Sequence, residues 1–152
     1  MISSFMNEAL LEAQKALNKN EVPVGAIIVR NGKIIARAHN LKESLKRVTA
    51  HAEILAIEEA SRQLDTWHLD DCTLYVTLEP CHMCSSAIIE SRIKRVVYGA
   101  LDIKMGAHVS SRDRVNNILN HEMDIVGGVL ESESEKLLKK FFKTLRNQKD
   151  SV

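Results

Sequence analysis

What most constrains this chain is a repeated change of hydrophobic period along it. Apolar residues at Ile2, Phe5, Met6, Ala9, Leu10, Ala13 and Leu17 follow the three-four spacing of a helix that should end near Asn18 to Asn20. Residues 24–29 then read as a buried strand, Asn31-Gly32 supplies a hairpin turn, and residues 34–38 return as the second strand. Beyond a polar loop containing Asn40, the helical period resumes over 50–64, with Thr49 placed to cap it. Residues 73–78 form a third strand. Pro80 suits the start of the next helix, because its missing N–H would be unpaired there anyway. A fourth strand over 95–99, a longer crossover and a fifth strand over 124–129 follow. The last helix runs from Glu131 to about Arg146 on the stripe Leu137, Leu138, Phe141, Phe142 and Leu145, with acids at its start and lysines at its end.

Strands separated by helices imply a layered α/β sandwich whose first two strands are antiparallel. Glycine and proline are few and scattered, with no linker, repeat or low-complexity tract, so 1–152 reads as a single domain ending in a basic helix at about 131–147. A chain of this size can remove roughly two-thirds of its unfolded surface from water. Its 45% hydrophobic content and net charge of +1 exclude intrinsic disorder. No run approaches the ~20 apolar residues of a membrane-spanning helix. The first residues carry Glu8 and Glu12 without a basic start or compact apolar run, unlike a signal peptide. The balance of 21 basic against 20 acidic residues argues against a bulk electrostatic nucleic-acid binder, though not against a local basic site.

Three cysteines cannot form a closed disulfide set. In a reducing compartment, the Cys81-x-x-Cys84 pair reads as metal-binding or redox-active, and Cys72 as buried filler. The chemistry lies in His51-Ala52-Glu53 followed downstream by Pro80-Cys81-His82-Met83-Cys84, each at a helix start. Either piece alone is weak. On a helix, Cys81 and Cys84 project from one face, and the positive end of the helix dipole favours their thiolates. With His51 they make three N/S ligands, which leaves the fourth tetrahedral position open as in catalytic zinc. Zinc lowers the pKa of water from 15.7 to roughly 7, and Glu53 is close enough to shuttle protons without coordinating the metal. A closed structural zinc would need His82, His68 or His39 as fourth ligand, and a redox dithiol would want a different context before Cys81. The run Lys136, Lys139, Lys140, Lys143, Arg146 and Lys149, free of intervening acids, read alone is the solvated side of an amphipathic helix.

The pairing of H-x-E with P-C-x-x-C is that of zinc nucleobase deaminases. Over nearly its whole length the chain resembles the bacterial tRNA-specific adenosine deaminases of the cytidine-deaminase-like superfamily. The residues that carry the resemblance are Glu21-Val22-Pro23-Val24-Gly25-Ala26, His39-Asn40 and Thr49-Ala50-His51-Ala52-Glu53-Ile54. Further on come Thr77-Leu78-Glu79-Pro80-Cys81, Gly99-Ala100 with Asp102 and Lys104, and Phe141-Phe142-Lys143. The zinc motif points to the superfamily and the flanking pieces to the tRNA branch.

The resemblance implies a three-layer α/β/α sandwich with a mixed five-stranded sheet, its last two strands parallel, in a cytoplasmic homodimer with one Zn2+ per subunit. It implies hydrolytic deamination of the wobble adenosine to inosine, with Glu53 protonating N1 and then the departing ammonia. Asn40 would hold the target nucleotide and Asp102 would contact its sugar-phosphate. Val22, Pro23 and Ala52 would line the pocket. Lys104, Lys139, Lys140, Phe142, Lys143 and Arg146 would face the anticodon stem-loop. The same metal site would also serve a deaminase of a free guanine- or cytosine-type base or nucleoside, or, without catalysis, a zinc or RNA-binding module. Arg47-Val48, Ser85-Ser86 and Val109 depart from the usual pattern, and none of these positions is a ligand or Glu53.

Overall fold

The computed structural model describes residues 1–102, 106 and 123–150, Asp150 by its backbone alone. Helix α1 (Ile2–Asn18) leads into the hairpin β1 (Gly25–Arg30) and β2 (Lys33–His39). A short helix α2 (Lys42–Leu45), α3 (Ala52–Leu64), β3 (Cys72–Leu78), α4 (His82–Glu90) and β4 (Arg95–Ala100) follow. The chain ends with β5 (Asp124–Val126) and α5 (Glu131–Asp150). The five strands lie in the order β2-β1-β3-β4-β5. β1 is antiparallel to both β2 and β3, whereas β3–β4 and β4–β5 are parallel. The sheet is therefore mixed with its last two strands parallel, as the resemblance implied.

Strand alternation sorts the core into two layers. Ile27 and Val29 of β1, Tyr75 of β3 and Val97 of β4 pack under Met6 and Ala9 of α1. Ala26, Ile28, Leu74, Val76, Val96 and Tyr98 face the other way, onto Ala52, Ala56 and Ala60 of α3 and Ile88 of α4. Helices on both faces make the three-layer sandwich. Helix α5 joins the α1 side through Ser134, whose buried hydroxyl donates to Thr77 O at 2.5 Å. The hydroxyl oxygen of Thr77 in turn accepts from Gly25 N at 3.1 Å. Among the described residues no helix is long and apolar enough to cross a membrane.

Three boundaries differ from expectation. β5 stops at Val126, because Gly128 turns the chain at φ +81° toward α5. The last helix continues to Asp150. The polar stretch after Asn40 contains α2, whose first turn is held from a distance. Glu21, 2% exposed, accepts from the backbone N–H groups of Glu43 (3.0 Å) and Ser44 (2.6 Å) and from the Ser44 hydroxyl (2.5 Å).

Candidate metal and catalytic site

The site forms where the carboxyl end of β3 meets the first turns of α3 and α4. Cys81 is the N-cap residue of α4 at φ −72° and ψ 176°, so Cys84 falls in the first turn. Pro80 thus precedes the helix rather than opening it. His51 is the N-cap residue of α3 at φ −81° and ψ 150°. Thr49 therefore does not cap this helix; its carbonyl accepts from His51 N at 2.8 Å. The first-turn amide of Ala52 instead donates to Asn40 Oδ1 at 2.8 Å. A side chain from the end of β2 satisfies the helix, which frees the cap position for a metal ligand.

His51 Nδ1 lies 3.8 Å from Cys81 Sγ and 3.5 Å from Cys84 Sγ. The three donor atoms all lie within 4.8 Å of one another. Tetrahedral zinc, with bonds of about 2.0–2.1 Å to nitrogen and 2.3 Å to sulfur, places such donors about 3.6 Å apart. The spacing fits zinc, and a nitrogen-and-thiolate set does not suit magnesium or calcium. Cys84 is fully buried and His51 and Cys81 partly so.

The negative charge of the donor set falls on Cys81. A hydrogen bond from the Cys84 thiol, reinforced by His51, brings the Cys81 thiol down to about 4 despite its burial. That same bond and burial push the Cys84 thiol up. The hydrogen bond with Cys81 raises His51. Glu53 is 4% exposed and outside the donor set. Its burial pushes the carboxyl up to about 7, and the negative charge of Cys81 works in the same direction.

Around this centre, Val24 N donates to Val22 O at 2.8 Å and closes a tight turn about Pro23. Asn40 N donates to Val24 O at 3.1 Å, which sets that turn beside Asn40. Asp102 is half-buried just after β4. It opens into a groove of about 840 Å³ that also takes in Lys139, Phe142 and Arg146 of α5. Lys140 faces elsewhere, lining a groove of about 230 Å³ with Gln14 and Leu17 of α1. Lys143 lies exposed on α5, while Lys104 and Val109 fall outside the described residues. Cys72 is buried, as expected of filler.

Three buried or half-buried anchors escape a reading of the sequence. Glu21 holds α2. Glu12, 3% exposed, joins Lys15 at 2.6 Å and His39 Nδ1 at 3.0 Å. Glu79, 1% exposed, accepts from Asp102 N at 3.0 Å. The only local signal is an acid set in an apolar run, as in Glu21-Val22-Pro23-Val24 and Leu78-Glu79-Pro80.

Residues 1–100 match the family model of the cytidine and deoxycytidylate deaminase zinc-binding region. The tRNA-specific adenosine deaminase of Bacillus subtilis (strain 168) is 50% identical over 149 residues, spanning 97% of this chain and 92% of that protein. That of Aquifex aeolicus (strain VF5) is 54% identical over 144 residues, 94% of this chain and 95% of the relative. A solved structure from work on A-to-I editing by tRNA:A34 deaminases superposes with a TM-score of 0.84 at 46% identity. It covers 89% of this chain and 99% of the other.

Proposed function

The chain belongs to the cytidine and deoxycytidylate deaminase zinc-binding family, and from that premise we propose that it hydrolytically deaminates the wobble adenosine of tRNA anticodons to inosine. One observation carries the reading. A buried carboxyl, Glu53, stands beside the His51–Cys81–Cys84 donors without being one of them. A structural zinc site has no use for such a group, whereas a hydrolytic one needs a proton carrier. Zinc, when held by these three residues, supplies the Lewis acidity that readies water for attack on C6 of adenine.

The chain's own residues do the rest. Glu53 carries two protons in turn, one from the attacking water to adenine N1 and a second, from the hydroxyl then attached to C6, to the amino group that leaves as ammonia, general acid–base work worth roughly 10²–10⁴ in rate. Asn40 spends its side-chain oxygen on Ala52 N, which fixes its amide group for the nucleotide. The Val22-Pro23 turn and Ala52 line the pocket. Asp102 meets the sugar-phosphate, and the groove it shares with Lys139, Phe142 and Arg146 receives the anticodon stem-loop. Lys104, Lys140 and Lys143 add to the attraction for phosphate. Residues 1–152 act as one domain in a cytoplasmic homodimer with one Zn2+ per subunit.

Support for tRNA over a free base comes from relatives named for tRNA at 50% and 54% identity across nearly the whole chain. The test is incubation of the zinc-loaded protein with tRNA bearing a wobble adenosine, in parallel with free adenosine, guanine and cytosine. Inosine is expected only in the tRNA. Turnover of a free base with the tRNA untouched overturns the reading.

A further inference from the structure

Glu79 leaves β3 two residues ahead of Cys81. Its backbone N–H donates to Ala100 O at 2.8 Å, and its side-chain Oε1 accepts from Asp102 N at 3.0 Å. Gly106 closes over the same carboxyl group. A Cβ there would stand 2.2 Å from Glu79 Oε1 and 2.5 Å from Asp102 O, so no side chain fits. The Gly106 N–H donates back to Asp102 O at 2.8 Å. Gly106 also forms an antiparallel bridge with Cys81. One buried carboxyl group therefore lies against both Asp102 and Gly106, while its own backbone continues directly into a metal ligand.

A polar group is buried at a cost unless hydrogen bonds offset it, and the bond shown here comes from the backbone of Asp102. We propose that Glu79 is a positioning residue for the deamination. Its carboxyl group clamps Asp102 and Gly106 onto the Cys81 segment and so fixes the place of Asp102 relative to the metal-binding residues. The target nucleotide, gripped by Asp102 at its sugar-phosphate, is thereby brought into register with the reacting centre. The inference rests on the reading of Asp102 as a substrate contact given above. Glu79 acts through Asp102 rather than on a substrate atom.

The test is a double-mutant cycle on the zinc-loaded protein, with an anticodon stem-loop bearing a wobble adenosine as substrate. Glu79→Ala is expected to retain zinc and raise KM about tenfold with kcat changed less than about threefold, the pattern of lost positioning rather than lost chemistry. Glu79→Gln keeps the acceptor oxygen and should recover most of that loss. In an Asp102→Ala background, Glu79→Ala should cost nothing further. Gly106→Ala pushes residue 106 off an intact carboxyl group and should reproduce the rise in KM, which covers the case where Glu79→Ala does not fold. Additive losses in the double variant, an unchanged KM in Gly106→Ala, or zinc loss that accounts for the lost activity overturns the proposal.

Amide exchange at Asp102, followed by NMR on zinc-loaded protein without RNA, separates this idea from the function it rests on. Faster exchange in Glu79→Ala or Gly106→Ala, beside a wild type that deaminates no tRNA, leaves the clamp standing and removes the proposed function. Unchanged exchange in both variants removes the clamp.

Discussion

The side-chain oxygen of Asn40 sits 2.8 Å from the backbone nitrogen of Ala52. The end of an edge strand is thus tied to the first turn of the helix that carries His51 and Glu53. One hydrogen bond sets the relation between a residue expected to hold substrate and two expected to act on it. Asn40→Ala should therefore lose about 1 kcal/mol of stability, typical of a removed helix-start acceptor, and lower kcat/KM as well. Asn40→Asp keeps the acceptor oxygen, so its melting temperature should stay near wild type while its activity still falls. Thermal melts set beside steady-state kinetics separate the two effects. Equal melting temperatures for Asn40→Ala and wild type would show that the bond does not hold the helix start.

Glu53→Gln should leave fold and zinc content intact while lowering deamination by roughly 10²–10⁴, the worth of general acid–base help. Its side chain is buried and matches the carboxyl in shape, so melting should be little changed. Zinc analysis of the purified variant, alongside single-turnover assays, checks both halves. Turnover at the wild-type rate would falsify the assignment of Glu53 as proton carrier.

Glu21 gives a pH prediction away from the metal. Burial opposes its charge, but the Ser44 hydroxyl and the backbone N–H groups of Glu43 and Ser44 outweigh that opposition, helped by Lys46. The carboxyl is therefore held below its ordinary 4.5. A depressed folded pKa contributes stability that is present above the unfolded value and disappears as pH falls through the folded one. Glu21→Gln should thus melt earlier than wild type at pH 7, by about 1–3 kcal/mol for hydrogen bonds to a charged group. The gap should close once the pH is well below 4.5. Melting curves at stepped pH test this, and a gap that persists in acid argues against it.

The two sides of α5 should behave differently toward RNA. Lys139 and Arg146 share the groove with Asp102, whereas Lys140 lines the groove against α1. Lys139→Glu and Arg146→Glu should weaken stem-loop binding more than Lys140→Glu does. Each lost phosphate contact should reduce the slope of log K against log salt by about 1, with zinc content unaffected. Binding titrations over a range of salt would expose an equal effect at all three positions, which would make the basic helix merely a solvated face.

Removal of zinc with a chelator should abolish activity and lower the melting temperature, since metal held by folded ligands stabilises the fold. Activity should return with zinc and not with magnesium, because two sulfur donors and an imidazole suit a softer ion. Rescue by magnesium would contradict the ligand set.

Legibility in the sequence followed the range of the interaction. The continuous apolar run over residues 24–29 announced β1 as a buried strand, because composition of a short run is a local property, whereas its two faces, Ile27 and Val29 against Ala26 and Ile28, emerged only in the structure. The pair His51–Glu53 and the spacing Cys81–Cys84 were legible for the same reason: each sits within one helix start. Thr49 was misread because the group that satisfies α3 comes from Asn40, in another element, and nothing local announces it. The same holds for Glu21 with Ser44 and for Glu79 with Asp102, separated by 23 residues in each case. Composition likewise hid the basic face of α5, since its lysines are balanced by acids elsewhere in the chain.

The bond from Ser134 to the backbone carbonyl of Thr77 fastens the acidic start of α5 to the central strand of the sheet, at a residue whose side-chain hydroxyl is engaged with Gly25. The basic half of the helix lies along α1 on one side through Phe141 and Leu145 and lines the Asp102 groove with Lys139 and Arg146 on the other. On the proposed function, reshaping on encounter falls to the RNA, whose loop must unstack to present its adenine to a jig that is already set. An anticodon loop held open in advance should therefore be the better substrate, and stiffening the protein further should gain little.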